Sequence, residues 1–308
     1  MTTSQYLRNC IPALESYFTW FHPCFPVIDR ADFSKKLAAS SVSYLLLQSM
    51  LFIAVTYCDE DVVTAMGFGG RTEAKSVLYT RARLLFHADW EKDKITLLQS
   101  LFLMSFWRGG PSDVRDVRYW LGVVIGVAES NGLHRSQVNS SSKSSSTADM
   151  SPTDQGLPQE TPELPVLGGA FGGPSTWVRE RQAAASLGLP SRIRDDDCDV
   201  EPLSPADLVS DLDENEDVMF GSCTPDHVKY AVNMVEISRI REFENMSPLS
   251  PKIVSHMAQL AKVPLRHEVR DIEASLEAWR LSLSNGFNME TKNTRPSVWE
   301  HLLMLAYK

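Results

Sequence analysis

"SYLLLQSMLFIAVTYC", residues 43–58, decides the fold. The run is apolar around its whole helical circumference and too long for a strand, so it suits a helix buried at the centre of a bundle. Amphipathic neighbours are expected around it. Ala74, Val77, Leu78, Leu84, Leu85 and Ala88 trace one helical face, with Arg81 as a single basic exception. Val117, Trp120, Leu121, Val124, Ile125 and Ala128 trace another, which "SNG" stops at 130–132, where Gly132 can take the left-handed conformation past the helix end. Further helices are expected near 95–107, 226–244, 266–284 and 297–307. Within 266–284, Val269, Ile272, Leu276, Trp279 and Leu283 alternate three and four apart, the spacing of a packing seam. No segment alternates convincingly at the strand period. The fold class is all-α, an irregular multi-helix bundle with a disordered internal insertion.

On the N-terminal side of the central run, "YFTWFHPCFPVIDRADF" (17–33) holds six aromatic residues and two prolines. Leu14, Tyr17, Phe18 and Phe21 fall at helical intervals, and His22-Pro23 and Pro26 end the helix because proline disfavours helical geometry in the residue before it. Asp29 or Asp32 then caps a second helix, with Phe33 and Leu37 facing inward. The stretch is expected to be a corner of the core packed against Leu46, Met50 and Ile53, and the competing reading is an exposed ligand or partner surface. Between Arg135 and Trp177 the pattern collapses into serine, proline and glycine, a composition that cannot bury enough surface to offset the entropy of ordering. The expected organisation is a helical half over 1–135, a disordered insertion over 136–176 and a second half of the same domain over 177–308. The segment 194–217 holds eleven acidic residues and no basic one after Arg194, so it reads as a solvated loop with at most a short helix at "SPADLV".

Composition removes several functions. The chain of 308 residues is 43% hydrophobic, carries a net charge of −9, and has no apolar run near the length of a membrane span, so it is expected to be soluble and not a membrane protein. The longest basic run is Lys35-Lys36, which leaves no electrostatic footprint for phosphate contacts, and direct DNA binding is disfavoured. The N-terminus has no basic segment followed by an apolar one, so no secretory signal is expected. Five cysteines (Cys10, Cys24, Cys58, Cys198 and Cys223) stand far apart without a C-x-x-C, which fits neither a disulfide framework nor a zinc site and points to a reducing compartment.

"DDDCDVE" (195–201) lacks the glycine and terminal glutamate of a calcium loop, and "HEVRD" (267–271) is one histidine short of a zinc helix, so His267 reads as a surface histidine. "GFGG" (67–70) and "GGAFGG" (168–173) lack the Lys-Ser or Lys-Thr of a phosphate loop and are expected to be turns. There is no G-x-S-x-G elbow. No catalytic, cofactor-binding, metal-binding or DNA-binding residue is nominated. The alternative from another class is a helical enzyme or small-molecule-binding protein, with Trp20, Trp107, Trp120 and Trp177 holding an apolar ligand.

Four stretches in order then carry a resemblance. "YFTWFHPCFPVIDRADF", "RYWLGVVIGVAESNGLHRS" (118–136), "WVRERQAAASLGLPSRIRDDDCDVEPL" (177–203) and "PSVWEHLLMLAYK" (296–308) resemble the regulatory domain of fungal zinc binuclear cluster transcription factors, the fungal-specific transcription factor domain. The resemblance implies a transcription regulator in the nucleus that acts through protein partners, such as a full-length factor or the transcription machinery, or through intramolecular contacts. Homo-oligomerisation stays open. No cofactor is implied, and zinc is expected only if an N-terminal cluster exists, because the six-cysteine module beside a basic linker has no counterpart here. The insertion replaces a helix that opens with paired arginines and tryptophans in the family, and the chain stops at Lys308 inside an expected helical region. A truncated regulator or an imperfect gene model is therefore expected. A competitor or cofactor of a full-length factor is the runner-up.

Overall fold

The computed structural model describes residues 3–110, 113–133, 167–193, 203–212, 219–240, 265–283 and 297–307. Helix α1 (Thr3–Ser16) runs into a π turn (Tyr17–Phe21), followed by α2 (Arg30–Ala38), α3 (Tyr44–Ala54), α4 (Glu60–Ala65), α5 (Arg71–His87), α6 (Lys94–Met104) and α7 (Val117–Ser130). Then come α8 (Leu167–Leu187), a 3₁₀ turn (Pro205–Leu212), α9 (Pro225–Ile240), α10 (Leu265–Ser282) and α11 (Val298–Tyr307). No strand occurs among the described residues, and the all-α expectation holds.

Short polar side chains start the helices. The Asp29 carboxylate accepts from the Asp32 amide at 2.8 Å, Asp93 from Thr96 at 2.8 Å and Asp116 from Tyr119 at 2.9 Å, while the Ser43 hydroxyl accepts from Leu46 at 3.4 Å. Each satisfies one of the first-turn amides that a helix leaves without an internal partner. Of the two capping residues expected for α2, Asp29 is the one used.

Helix α3 lies at the centre, packed on α1, the π turn, α5 and α6, and residues Leu45 to Ala54 are all buried. A helix so enclosed has no polar face to spare, which is why its sequence is apolar all round. A smaller cluster joins α9, α10 and α11 through Tyr230, Met234, Ile237, Trp279, Leu283, Trp299 and Leu303. Trp279 and Leu283 thus sit on a packing seam as their spacing predicts, with Leu276 packed at its edge. The side chains of Val269 and Ile272 lie outside the described residues, as do 241–244 of the expected 226–244 helix.

Three expectations need correction. The buried face of α5 is Ala74, Leu78, Tyr79 and Ala82, whereas Leu84 is 59% exposed and Ala88 is exposed. The face is rotated because a tyrosine joins it: Trp120 Nε1 donates to Tyr79 Oη at 3.0 Å, which satisfies both polar atoms inside the core. Second, the expected insertion does not reach residue 176, and "GGAFGG" is not a turn. Residues 167–187 are one helix in which Ser175, Thr176 and Val178 are buried, so packing overrides the weak propensity of its glycines. Residues 136–166 lie outside the described residues. Third, the helix before His22 closes as a π turn, with the His22 amide donating to Tyr17 O at 3.0 Å. By contrast, "GFGG" at 67–70 forms a turn as expected, and the 3₁₀ turn falls on the segment foreseen as a short helix.

Helix α7 ends as its sequence predicts. Asn131 is the C-cap, and Gly132 follows with φ +70°, its amide bonded to Glu129 O and that of Leu133 to Ala128 O. A Cβ at Gly132 would meet no atom within 4 Å, so a side chain there carries a backbone cost alone. Gly132→Val should therefore lower stability by about 1–2 kcal/mol, read from urea unfolding. Parental stability would show that the left-handed turn is not required.

Candidate functional site

Two buried polar junctions tie sequence-distant segments together. The first is built on the aromatic corner. Tyr17, Phe18 and Phe21 are buried on one side of the π turn, and Trp20 on the other is 45% exposed. The corner is therefore core, as expected, and its rings form a chain. Phe18 stacks on Phe220 at 4.9 Å and touches Phe33 at 5.7 Å, while Phe21 meets Phe106 edge-on at 4.9 Å and Phe25 at 5.6 Å. Such offset and edge contacts suit the ring quadrupole.

Inside this shell sit His22 and Arg30, both buried. Arg30 Nη1 donates to the carbonyls of Phe220 at 3.0 Å and Gly221 at 3.1 Å, and its guanidinium lies 5.1 Å over the Phe18 ring. His22 Nε2 donates to Ile28 O at 2.7 Å, which leaves Nδ1 to accept from Arg30 Nη2 at 3.4 Å. That pattern needs the neutral imidazole. Burial, followed by the Arg30 charge, pushes the His22 pKa down to about 3. An imidazole so depressed stays neutral near pH 7 and does not act there as a general acid.

A pH dependence follows. Because the folded pKa lies below the unfolded value of 6.5, the unfolded chain binds the extra proton, so this contribution is complete above pH 6.5 and is lost as pH falls toward 3. The slope should be about 1.4 kcal/mol per pH unit in that window. Unfolding free energies between pH 6 and 4 for the parent and His22→Gln should differ in slope by about that amount. Parallel pH profiles would show that His22 is not buried neutral.

The second junction is built on Glu180 of α8, which is fully buried. One carboxylate oxygen, Oε1, accepts from Arg118 Nη1 at 2.6 Å and from the Arg192 amide at 3.1 Å, with Arg192 Nε at 3.9 Å. Arg118 Nη2 also donates to Pro190 O at 3.3 Å. The Arg192 guanidinium lies against α7 where Gly122 has no side chain, and a Cβ there would overlap it. Arginine pairs thus clamp α7, α8 and the turn after α8 around one charge.

The thiols of Cys10, Cys24 and Cys58 are not poised for chemistry, because burial raises the pKa of each. Burial pushes Cys10 up to about 12 and Cys24 to about 11, so both stay protonated near neutral pH. Cys58 and Cys223 are buried and in no disulfide among the described residues, and Cys198 lies outside them. Among the described residues no three His, Cys, Asp or Glu side chains group as metal ligands, and no helix is long and apolar enough to cross a membrane. "DDDCDVE" and the side chain of His267 lie outside the described residues. The four tryptophans do not converge on one ligand site. Trp107 and Trp120 both pack on Tyr79, Trp20 is exposed, and Trp177 carries the Arg181 guanidinium 3.8 Å over its ring.

Neither junction is legible in the sequence alone. Arg30, Glu180 and Arg192 lie within stretches quoted for their family resemblance, and an isolated arginine or glutamate in an amphipathic helix gives no local sign of burial.

Comparison with known proteins fits this architecture. Residues 14–164 match the model of the fungal specific transcription factor domain. The chain is 32% identical over 234 residues to cutinase transcription factor 1 alpha of Fusarium vanettenii, an alignment covering 75% of this chain and 23% of that protein. Cutinase transcription factor 1 beta of the same fungus is 29% identical over 71% of this chain and 23% of its own length. The acetamidase regulatory protein of Aspergillus fumigatus is 22% identical over 96% of this chain and 33% of its own. The chain thus spans about a quarter to a third of the length of these relatives. No solved structure is a significant match. The matched region contains the aromatic corner, the central helix and the α7 exit, and the chain belongs to the fungal specific transcription factor domain family.

Proposed function

We propose that this chain is the helical regulatory part of a fungal transcription regulator, acting in the nucleus through protein contacts, without catalysis and without reading DNA itself. The observation that carries this reading is the match of residues 14–164 to the family, together with relatives named as transcription factors and regulators. Its physical support is the chain's net charge of −9, which repels the phosphate backbone. The buried polar groups support it too, because in both junctions they are spent on joining segments. Pathway-specific control fits relatives named for a cutinase and an acetamidase.

Tethering tests the proposal. Fused to a heterologous DNA-binding module in a fungal host, the chain should shift the output of a reporter carrying that module's site severalfold relative to the module alone. Equal output from a fusion that is folded and equally abundant would remove the reading.

A further inference from the structure

Three cations border residues 106–108, and the Asp113 carboxylate, which accepts from Trp107 Nε1 at 2.8 Å, pairs with Arg115 and with none of the three among the described residues. Arg179 of α8 lays its guanidinium 4.0 Å over the Phe106 ring. Arg108 follows two residues after that ring and is exposed. Lys75 of α5 sits 5.8 Å over Phe52, whose ring touches Trp107 at 6.0 Å. Residues 106–108 thus bring the three together, and none of them is ion-paired among the described residues. The neighbouring Arg71 differs, since it donates to Val55 O and Thr56 O and pairs with Glu60 at 3.2 Å.

The crowding is felt electrostatically. Burial and then the Arg108 charge push the Arg179 pKa down to about 10, and the same two causes lower that of Lys75. The Tyr57 hydroxyl faces the same region: burial raises its pKa, and the Arg179 charge opposes that rise. Tyr57 is 44% exposed, so a ligand can approach from its side. A guanidinium stacked on a ring is oriented, and its edge offers paired donors matched to a two-oxygen acceptor.

We propose that Lys75, Arg108 and Arg179 form an oxyanion site that takes a carboxylate or phosphate group. The group neutralises charges that otherwise repel one another, so folding and binding pull on these side chains in opposite directions. Removing a cation that serves only the fold would weaken the fold. Removing one kept for a ligand relieves repulsion in the empty protein and abolishes the response to the ligand. The group's source is either a free small anion or the acidic side chains of a peptide.

The test is thermal unfolding of the whole chain in sodium phosphate and in sodium chloride at equal ionic strength. Phosphate should raise the midpoint by about 3 °C or more beyond chloride at saturation. Arg108→Ala and Arg179→Met should abolish that difference, and Lys36→Ala on α2 should keep it. In low salt without phosphate, Arg108→Ala should melt above the parent. If Arg179→Met fails to fold, exposed Arg108 still decides the matter. Hexaglutamate at the same ionic strength separates the sources: a rise larger than with phosphate assigns an acidic peptide, and a smaller one assigns a free anion. Equal midpoints in phosphate and chloride, a phosphate response retained in Arg108→Ala, or a low-salt midpoint below the parent's would each overturn the site.

Discussion

Phe18→Ala should unfold with a loss of roughly 3–5 kcal/mol in urea, the cost of deleting a fully buried phenyl ring and leaving a cavity. Phe18 is fully buried and is in ring contact with Tyr17, His22, Phe33 and Phe220, with Arg30 over its face. Removing it opens the space that holds the guanidinium bound to the Phe220 and Gly221 carbonyls. The damage should therefore reach the segment before α9, about two hundred residues along the chain. Phe21→Ala should cost a similar amount, since it opens the Phe25 and Phe106 contacts. Such a loss is a large share of the roughly 5–15 kcal/mol that holds a typical domain together. Trp20→Ala is the internal control: between these two buried rings but half-exposed, it should stay within about 0.5 kcal/mol of the parent. Phe18→Ala with parental stability would refute the structural reading of the corner and make it an interaction surface.

The second large effect is expected at Glu180. Truncating it to alanine leaves Arg118, itself mostly buried, without its partner and releases the Arg192 amide, a loss of about 3–5 kcal/mol. A pair this deep is not a simple gain over apolar packing, because removing both charges from water is costly. Glu180→Leu combined with Arg118→Leu should therefore recover much of what Glu180→Ala loses. The check is a double-mutant cycle by urea unfolding, with a coupling energy above about 1 kcal/mol expected between the two positions. Additive losses would show that the ion pair does not hold α7 to α8.

Periodicity revealed the parts of this fold that are local. The apolar circumference of α3, the Asn131-Gly132 exit of α7, the Asp29 cap and the Trp279–Leu283 seam are all decided within a few residues of chain, so their sequence carries them. What could not be read depends on partners far away. Tyr79 turns inward because Trp120 lies 41 residues on, and that rotates α5 so that Leu84 faces water. Residues 167–176 look like a linker by composition, yet Ser175 and Thr176 are buried. The carbonyls that hold Arg30 belong to residues 190 and 191 positions away, and every residue has a carbonyl, so no side-chain pattern announces them. That Lys75, Arg108 and Arg179 carry no ion pair among the described residues is likewise a fact of three dimensions, because nothing in the neighbouring sequence marks them off from other charges.

Under the proposed function this chain regulates through protein contacts and not by contact with DNA. A fluorescence anisotropy titration of labelled duplex DNA with the purified chain at low salt tests it most directly. No binding is expected below ~1 µM, and no more response than an unrelated acidic protein gives. Sub-micromolar binding that weakens steeply as salt is raised would contradict it, because that dependence reports the counterion release of true phosphate contacts.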